Sequence, residues 1–326
     1  MTQYFLGVDI GATKSHALIA DAQGHAIGFG TYGPGSYEIV EWEGLQEALH
    51  AIIEGALTSA GITTSQISGA GFGIAGYDWP SELEGHVQAI STLGLSAPYG
   101  LVNDTMVGLI AGATEGWGVG VVSGTGSNCW GRDRAGHEGH VTGGGQMFAE
   151  YAGGADIVAR AVQAISLAWS RRGPATRLTE AFVAHVGAKS TLDLLEGLYV
   201  EQYHLSSPAA PLVFQVAAEG DAVALDVIRW AGRELGSLAV GVIRQLHFES
   251  LDFEVVQIGS VYNGNPLLGE TMMATIHAVA PGARPVRLTV PPVVGGVLLG
   301  MEQAGVNYPA LRQALIETTD SFLKHE

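Results

Sequence analysis

Two glycine-rich turns, each between two apolar strands, constrain the fold of this chain more than any other feature. The first lies in Gly-Val-Asp-Ile-Gly-Ala-Thr-Lys-Ser at residues 7–15, and the second in Ser-Gly-Thr-Gly-Ser-Asn at 123–128. We call residues 11–14 the first glycine turn and residues 124–127 the second glycine turn. Backbone N–H groups in such turns can form a nest for an anion. Two such turns, each opening a domain, can hold one nucleotide from both sides.

The residues around the first glycine turn predict alternating strands and helices. Three closely spaced strands at 4–9, 15–21 and 25–32 indicate an antiparallel meander. Helical spacing of apolar residues and short apolar runs then predict a helix at 43–60, a strand at 68–75, a helix at 81–92, a strand at 99–103 and a helix at 104–114. Strands alternating with helices indicate an α/β layer fold.

The second half of the chain repeats this opening pattern with strands at 118–123 and 127–132. Residues 149–247 have mainly helical periodicity, and the last segments predict a strand at 254–258, a helix at 266–279, a strand at 285–290 and helices at 293–304 and 308–322. We therefore expect two α/β domains, at 1–116 and 117–326, with the last helix able to pack back on the first domain.

Charge and cysteine content exclude several classes of protein. The chain has 15 Lys and Arg against 32 Asp and Glu, a formal net charge of −17, and lacks the basic stripe of a nucleic-acid binder. The three lysines are Lys14, Lys189 and Lys324, so backbone N–H groups and a metal ion would hold most of any polyphosphate. The single cysteine, Cys129, excludes an intrachain disulfide. Without an apolar run of about 18 residues or a signal-peptide pattern, we expect a cytoplasmic protein without a membrane partner.

Asp9 ends the strand before the first glycine turn. A carboxylate there can hold Mg²⁺ through water molecules, because Mg²⁺ gives up its hydration shell reluctantly. The hydroxyl of Thr13 adds a donor for phosphate. The other interpretation is an ordinary hairpin with a solvated aspartate. The turn is not a Walker loop, since Lys14 follows Thr13 rather than glycine.

Asn103 and Asp104 follow the strand at 99–103 and open a helix. Asp104 can be a helix N-cap. It can also be a carboxylate at the carboxyl end of a strand, where ligands bind in α/β sheets, and accept a proton from a substrate hydroxyl. Both interpretations fit the sequence.

Three further glycine segments permit close approach of a ligand. Gly143, Gly144 and Gly145 precede Glu150, which is either a surface acid or an acceptor for sugar hydroxyls. Gly259 and Ser260 follow a strand, and Gly295 and Gly296 lie at a helix start. A flat purine ring can fit between backbones that lack side chains, although turn chemistry also explains these glycines.

In this order, D-x-G-x-T-x-S at 9–15, N-D at 103–104, S-G-T-G-S-N at 123–128, G-S-V at 259–261 and G-G at 295–296 resemble the N-acetylglucosamine kinase/BadF-type ATPase family. This family belongs to the actin-like superfamily of sugar kinases and ATPases. The resemblance implies two ribonuclease-H-like α/β domains with an active-site cleft between them. It implies an ATP- and Mg²⁺-dependent kinase that phosphorylates N-acetylglucosamine or glucosamine at O6. The alternative within the same fold is a nucleotide-dependent ATPase switch.

The resemblance also implies roles for individual residues. Asp104 would be the catalytic base, and Asp9 would hold Mg²⁺ through water. The ATP phosphates would contact Gly11, Ala12, Thr13, Lys14, Gly124, Thr125, Gly126 and Ser127. Adenosine would contact Gly259, Ser260, Gly295 and Gly296. The sugar would contact Ser36, Asn103, Asp104, Gly143, Gly144, Gly145 and Glu150. A homodimer through the helical second domain is expected by the same resemblance.

The sequence departs from the family pattern at two places. The family's Gly-Asp-Glu-Gly run reads Ala149-Glu150-Tyr151-Ala152, and a frequent asparagine is replaced by Ser36. Both changes affect the sugar rather than the phosphates, so glucosamine competes with N-acetylglucosamine as the expected acceptor. The family's dehydratase activators hold an iron–sulfur cluster with two cysteines per chain, and the single Cys129 argues against that activity.

Overall fold

The computed structural model describes residues 3–323 and contains two five-stranded mixed sheets, each covered by helices. The first sheet consists of β1 (Tyr4–Ile10), β2 (Ser15–Asp21), β3 (Ala26–Tyr32), β4 (Ile67–Ile74) and β5 (Tyr99–Asn103). The spatial order is β3-β2-β1-β4-β5, with β1 antiparallel to β2 and parallel to β4. Its helices are α1 (Tyr37–Ala60), α2 (Leu83–Ser91) and α3 (Asp104–Gly112).

The second sheet repeats this topology. It consists of β6 (Gly118–Ser123), β7 (Ser127–Arg132), β8 (Glu138–His140), β9 (Phe253–Ile258) and β10 (Ala283–Arg287). The order β10-β9-β6-β7-β8 again places the first strand of the set between an antiparallel partner and a parallel one. This repeated arrangement confirms the expected α/β fold of two ribonuclease-H-like domains.

The remaining helices follow the second glycine turn. They are α4 (Gly154–Trp169), α5 (Leu178–Val186), α6 (Thr191–Tyr199), α7 (Ala210–Ala218), α8 (Ala222–Gln245), α9 (Pro266–His277), α10 (Val293–Gln303) and α11 (Arg312–Leu323). The apolar face of α8 is buried through residues three or four apart, such as Ile228, Ala231 and Leu235, and packs on α9 and the second sheet. Within residues 3–323, no helix is long and apolar enough to cross a membrane.

Helix α10 packs on the first sheet, although the division at residue 117 places it with the second domain. The sheet accepts it closely because three strand residues facing it are glycines. A Cβ atom on Gly7 would collide with the backbone of Val297, and Cβ atoms on Gly69 and Gly71 would collide with carbonyl oxygens of α10. Helix α11 also contacts β3. Two helices from the end of the chain therefore complete the first domain.

The predicted elements differ from the structure mainly at their boundaries. Helix α1 begins at Tyr37 rather than 43 because its first residues form a separate turn, joined to the rest through a non-helical residue, Glu41 (φ 59°, ψ 178°). The helical run expected from residue 149 begins at Gly154. Strand β8 was not predicted, since its three residues carry no apolar alternation.

Candidate active site

Asp104 is the first residue of α3, directly after β5, at the boundary between the two domains. Asn103 is the N-cap of this helix, since its Oδ1 accepts the backbone N–H of Thr105 at 2.9 Å. Burial raises the pKa of Asp104 to about 7, and the charge of Asp78 acts in the same direction. A carboxyl with a pKa near neutrality can both accept and release a proton at the pH of a cell.

Asp9 lies near the end of β1, opposite His16 of β2. The Nδ1 atom of His16 is 4.0 Å from Oδ2 of Asp9. Burial raises the pKa of Asp9 to about 8, and the charge of Asp104 adds to this effect. Two neighbouring carboxyl groups in a partly buried site repel each other when both are ionised. A cation between or beside them lowers the free-energy cost of ionising both.

The donor chemistry at Asp9, with the charge of Asp104 nearby, fits Mg²⁺. Among residues 3–323, no three His, Cys, Asp or Glu side chains are grouped to hold a metal ion. A cation at these carboxylates would therefore need other oxygen ligands. Mg²⁺ commonly binds through one or two carboxylates, several waters and substrate phosphates. Asp9 can supply the protein part of such a set, through water molecules, and Asp104 stays available as a base.

Asp78, which sequence reasoning missed, connects the two domains at this point. It lies in the loop after β4, and its Oδ1 accepts the side-chain amides of Asn103 at 3.1 Å and Asn128 at 3.0 Å. A Cβ atom on Gly143 would collide with the Asp78 carboxyl. Burial raises the pKa of Asp78. The only sequence signal was an acidic residue shortly after a buried strand, as at Asp104.

The first glycine turn is an exposed connection between β1 and β2. The N–H of Gly11 donates to the carbonyl of Lys14 at 3.1 Å, and the N–H of Gly35 donates to the carbonyl of Gly11 at 3.1 Å. Ala12, Thr13 and Lys14 are exposed. The turn therefore presents backbone groups, one hydroxyl and one ammonium group beside Asp9.

The second glycine turn lies against the N-terminus of α4. The N–H of Gly124 donates to the carbonyl of Gly126 at 2.9 Å, and the N–H of Gly154 donates to the carbonyl of Gly124 at 2.8 Å. The hydroxyl of Ser127 donates to the carbonyl of Tyr151 at 2.9 Å. A Cβ atom on Gly153 would collide with Gly126. These contacts fix the turn, while Thr125 and Gly126 stay exposed.

A cavity of about 460 Å³ lies beside the second glycine turn. Thr125 and Ser260 line one side of it, and Pro208, Pro211 and Phe214 supply apolar walls. Gly259 is in the left-handed region (φ 105°), and a Cβ atom there would collide with the carbonyl of Ser123. The structure thus brings Gly259 and Ser260 next to the second glycine turn. Sequence reasoning missed the apolar walls, which lie in a helical segment without a motif.

Gly295 and Gly296, which were expected to contact adenosine, do not line this cavity. Both residues are buried in α10, away from the cavity lined by Ser260. A Cβ atom on Gly295 would collide with the carbonyl of Val107 in α3, and one on Gly296 would meet the backbone of Val8 and Gly71. Their missing side chains let α10 pack between α3 and the first sheet. The two glycines do indicate a close approach to the backbone, but the neighbouring atoms belong to the protein rather than to a ligand.

Glu150 and Ser36 carry buried oxygens that lack a partner among residues 3–323. Glu150 is 5% exposed, and its Oε1 accepts the N–H and the hydroxyl of Thr142 at 2.6 and 2.8 Å, while its Oε2 has no partner. Ser36 is 1% exposed and its hydroxyl makes no hydrogen bond. Since Thr142 precedes Gly143, which abuts Asp78, Glu150 lies in the same continuous set of contacts as Asp104.

Two residues that flank Glu150 adopt the left-handed backbone conformation typical of glycine, although neither is glycine. Ala149 has φ 59° and Ala152 has φ 90°, both in the left-handed region. These positions match the two glycines of the family's Gly-Asp-Glu-Gly run. The loop therefore keeps the conformation that glycine favours, although alanine is strained there.

An aromatic pair spans the two domains next to these residues. Trp79, directly after Asp78, is 42% exposed, and Phe148, shortly after Gly143, Gly144 and Gly145, is 50% exposed. Their ring centroids are 6.3 Å apart. Gly144 permits this position of Phe148, because a Cβ atom there would collide with the ring. Each domain thus contributes one exposed aromatic surface beside the Glu150 loop.

A model described as the BadF/BadG/BcrA/BcrD ATPase family matches residues 6–300. The chain belongs to this family. The match confirms the resemblance drawn from the motifs, and it spans both sheets and most of α10.

Curated relatives of this family member include two kinases, each 24% identical to it. One is the N-acetylmuramic acid/N-acetylglucosamine kinase of Clostridium acetobutylicum, covering 92% of this chain and 99% of the relative. The other is the N-acetyl-D-glucosamine kinase of Dictyostelium discoideum, covering 92% and 98%.

Solved structures share the fold at low sequence identity. A candidate N-acetylglucosamine kinase from Chromobacterium violaceum superposes with a TM-score of 0.66 at 22% identity, covering 91% of this chain and 98% of that one. A ROK family glucokinase from Streptomyces griseus, in complex with glucose and AMPPNP, gives 0.58 at 19% identity, covering 92% and 99%. These likenesses establish the two-domain fold of the family member.

Proposed function

We propose that this member of the family is an ATP-dependent amino-sugar kinase. The observation that carries the proposal is the position of Asp104. The pKa of its carboxyl is about 7. Asp104 directly follows Asn103, whose side chain is joined through Asp78 and Asn128 to the end of the second glycine turn. Through Gly143, the same contacts reach the Glu150 loop. In this proposal Asp104 is the general base, the second glycine turn binds phosphate and Glu150 accepts sugar hydroxyls.

The nucleotide would bind along the second domain. The apolar walls Pro208, Pro211 and Phe214 suit a purine ring, and the cavity they line opens on Thr125 of the second glycine turn. The two glycine turns would hold the phosphates mainly through backbone N–H groups, and Lys14 would add an ammonium group. Mg²⁺ at Asp9, bound through water, would neutralise charge on the transferring phosphoryl group.

The acceptor would lie between Asp104 and the Glu150 loop. The free Oε2 of Glu150 can accept a sugar hydroxyl, and the buried hydroxyl of Ser36 can donate to or accept from the same ligand. Asp104 would take the proton of the attacking hydroxyl, which we assign to O6. Positioning and electrostatics carry most of the catalysis in phosphoryl transfer, and a base typically adds about 10²–10⁴-fold.

The names of the two curated relatives support N-acetylglucosamine as acceptor. Glucosamine remains the competing acceptor, because Glu150 and Ser36 stand where the family pattern has shorter or different side chains. An acidic site also favours the ammonium form of glucosamine electrostatically. The two sugars differ only at the nitrogen, so one kinetic comparison decides between them.

A coupled ADP-release assay with MgATP tests the proposal. The panel is N-acetylglucosamine, glucosamine, N-acetylmannosamine, glucose and no sugar. We expect turnover that depends on an amino sugar and is absent with its 6-deoxy analogue. Equal, slow ADP release in every tube would contradict the kinase and indicate the ATPase switch instead. Turnover of the 6-deoxy sugar would contradict only the assignment to O6.

A further inference from the structure

An uninterrupted chain of hydrogen bonds joins the N-terminus of α3 to the start of β7. The N–H of Thr105 donates to Oδ1 of Asn103 at 2.9 Å, and Nδ2 of Asn103 donates to Oδ1 of Asp78 at 3.1 Å. From the other domain, the N–H of Cys129 donates to Oδ1 of Asn128 at 2.8 Å, and Nδ2 of Asn128 donates to the same Asp78 oxygen at 3.0 Å.

The polarity of this chain requires a hydrogen-bond acceptor at its centre. The amide oxygens of Asn103 and Asn128 are each occupied by a backbone N–H, so both amide nitrogens point to residue 78. A carboxylate accepts hydrogen bonds from two donors and offers none. Its charge strengthens both bonds. Asp78 therefore meets the requirement set by the two asparagines.

Asp78 is itself held firmly on the first domain. Its backbone N–H donates to Oε2 of Glu82 at 2.8 Å, and the hydroxyl of Tyr37 donates to Oε1 of Glu82 at 2.7 Å. The side chain of Asn103 also donates to the carbonyl of Tyr77, at 3.3 Å. The carboxylate is therefore a fixed point of the first domain from which a bond reaches the second domain.

The two ends of the chain are the parts that phosphoryl transfer must align. One end is the first turn of α3, which carries Asp104. The other is Asn128, the last residue of the S-G-T-G-S-N segment that forms the second glycine turn. We propose that Asp78 is a positioning residue that fixes Asp104 relative to the second glycine turn and so sets the geometry of transfer. This role rests on the proposed kinase function.

The consequence concerns turnover more than ATP affinity. A reacting group displaced by about 1 Å can lose about 10²-fold in rate. The apolar walls that would hold the purine belong to the second domain alone and do not involve Asp78. Breaking the chain is therefore expected to lower kcat while leaving the KM for ATP within about threefold, a split that general unfolding would not produce.

A charge exchange tests this role. Asn128→Asp places a second carboxylate against Asp78, so the link between the domains is lost and kcat is expected to fall about 10–100-fold. In the wild-type protein both asparagines donate to Oδ1 of Asp78. In the double variant Asp78→Asn/Asn128→Asp, rotation of the new amide at 78 lets its oxygen accept from Asn103 and its nitrogen donate to the new carboxylate at 128. We expect this double variant to recover at least tenfold in kcat over Asn128→Asp. Asp133→Asn, in the exposed turn between β7 and β8, is the matched control and should keep normal kcat.

The outcomes separate the two proposals. A double variant as slow as Asn128→Asp, with wild-type protein fully active, would overturn the role of Asp78 and leave the kinase intact. Wild-type protein without sugar-dependent turnover would overturn the proposed function, and the role of Asp78 with it. If Asn128→Asp fails to fold by circular dichroism, Asp78→Ala, Asn128→Ala and their combination replace it. If the double variant has the same kcat as each single variant, the two residues act as one coupled unit, as proposed. If the losses in kcat of the two single variants multiply in the double variant, the residues act independently and the role of Asp78 is overturned.

Discussion

The carboxylate of Asp104 lies close enough to Asp9 for its negative charge, added to burial, to raise the pKa of Asp9 to about 8. The two residues come from different elements, the end of β1 and the start of α3. Their meeting places two acids of nearly neutral pKa at the boundary of the domains. Such pairs are costly for a fold and are common where charge is needed for chemistry.

Replacing Asp104 with asparagine removes the proposed base while keeping the size of the side chain. We expect kcat to fall by about 10²–10⁴-fold, with little change in the affinity for ATP. Steady-state kinetics and calorimetric titration with a non-hydrolysable ATP analogue measure the two quantities. Near-normal turnover in this variant would remove Asp104 from the role, and Asp133→Asn serves as control for a generic Asp to Asn change.

The activity should depend on pH near neutrality. The pKa of Asp104 is raised from its ordinary value of 3.8 to about 7, and a base works only when deprotonated. At limiting MgATP and sugar, kcat/KM is therefore expected to fall about tenfold per pH unit below about 7. Bound Mg²⁺ favours the charged carboxylate, so the acid limb of kcat should lie at lower pH. An acid limb of kcat/KM near pH 4 would contradict this assignment.

We expect the ionised carboxylate of Asp9 to lower the free energy of unfolding at alkaline pH when no metal ion is bound. The pKa of Asp9 in the folded protein, about 8, lies above its ordinary value of 3.8. Its contribution to the free energy of unfolding is therefore fully present below pH 3.8 and is lost as the pH rises through 8. Asp9→Asn removes the buried charge. We expect it to stabilise the protein by about 0.5–2 kcal/mol at pH 8.5 with EDTA, and by less at pH 5.

Urea unfolding at the two pH values measures this effect. Asp133→Asn is the control of opposite sign, because the hydrogen bond from His137 holds the pKa of Asp133 below its ordinary value. Asp133 also accepts two backbone N–H groups in its turn. Its replacement should therefore not stabilise the protein at pH 8.5. A loss of stability in Asp9→Asn at that pH would refute the burial argument.

Sequence patterns predicted those parts of the candidate site that are formed by residues close together in the sequence. The glycine turns and Asp104 each follow a buried strand, and strand ends are visible in a sequence. Asp78 also follows a buried strand, but this signal did not single it out. Its meaning depends on meeting Asn128, which lies across the domain boundary. The walls Pro208 and Phe214 were missed for a similar reason, since a helical segment without a motif gives no sign of which cavity it borders.

Glycine pairs show where the sequence signal is ambiguous. Gly259 and Gly295 both indicate a close backbone approach. At Gly259 the approaching group is the second glycine turn, and at Gly295 it is helix α3. Only the tertiary packing of α10, which returns to the first sheet, separates the two cases. The late helices also cross the expected domain division for this reason.

Ala149→Gly should stabilise the protein. Ala149 is exposed and has φ 59°, so its methyl group adds strain in the left-handed region without burying apolar surface. Glycine relieves this strain in the folded protein, but it also increases the entropy of the unfolded chain. We expect a net increase of about 0.5–1 kcal/mol in the free energy of unfolding. Ala164→Gly, in the interior of α4, is the matched control and should cost about 0.5–1 kcal/mol. Equal destabilisation of both variants in urea would show that residue 149 is not strained.

Gly259→Ala should damage ATP binding through the second glycine turn. Gly259 has φ 105°, a conformation that alanine rarely adopts, and its new Cβ would collide with the carbonyl of Ser123, one residue before the turn. Because Ser123 also donates its hydroxyl to the carbonyl of Ala152, the displacement would reach the Glu150 loop. We expect the KM for ATP to rise about tenfold and stability to fall by about 1–3 kcal/mol.

Gly241→Ala is the matched control for this change. Gly241 lies in α8, and a Cβ atom there would meet no atom of residues 3–323 within 4 Å. Replacing glycine by alanine in a helix interior should stabilise the protein by about 0.5–1 kcal/mol and leave the KM for ATP unchanged. The two variants add the same methyl group, so their difference isolates the contact with Ser123. A Gly259→Ala protein with normal ATP kinetics would mean that the second glycine turn moves freely without loss, and that its fixed position is not needed to hold the phosphates.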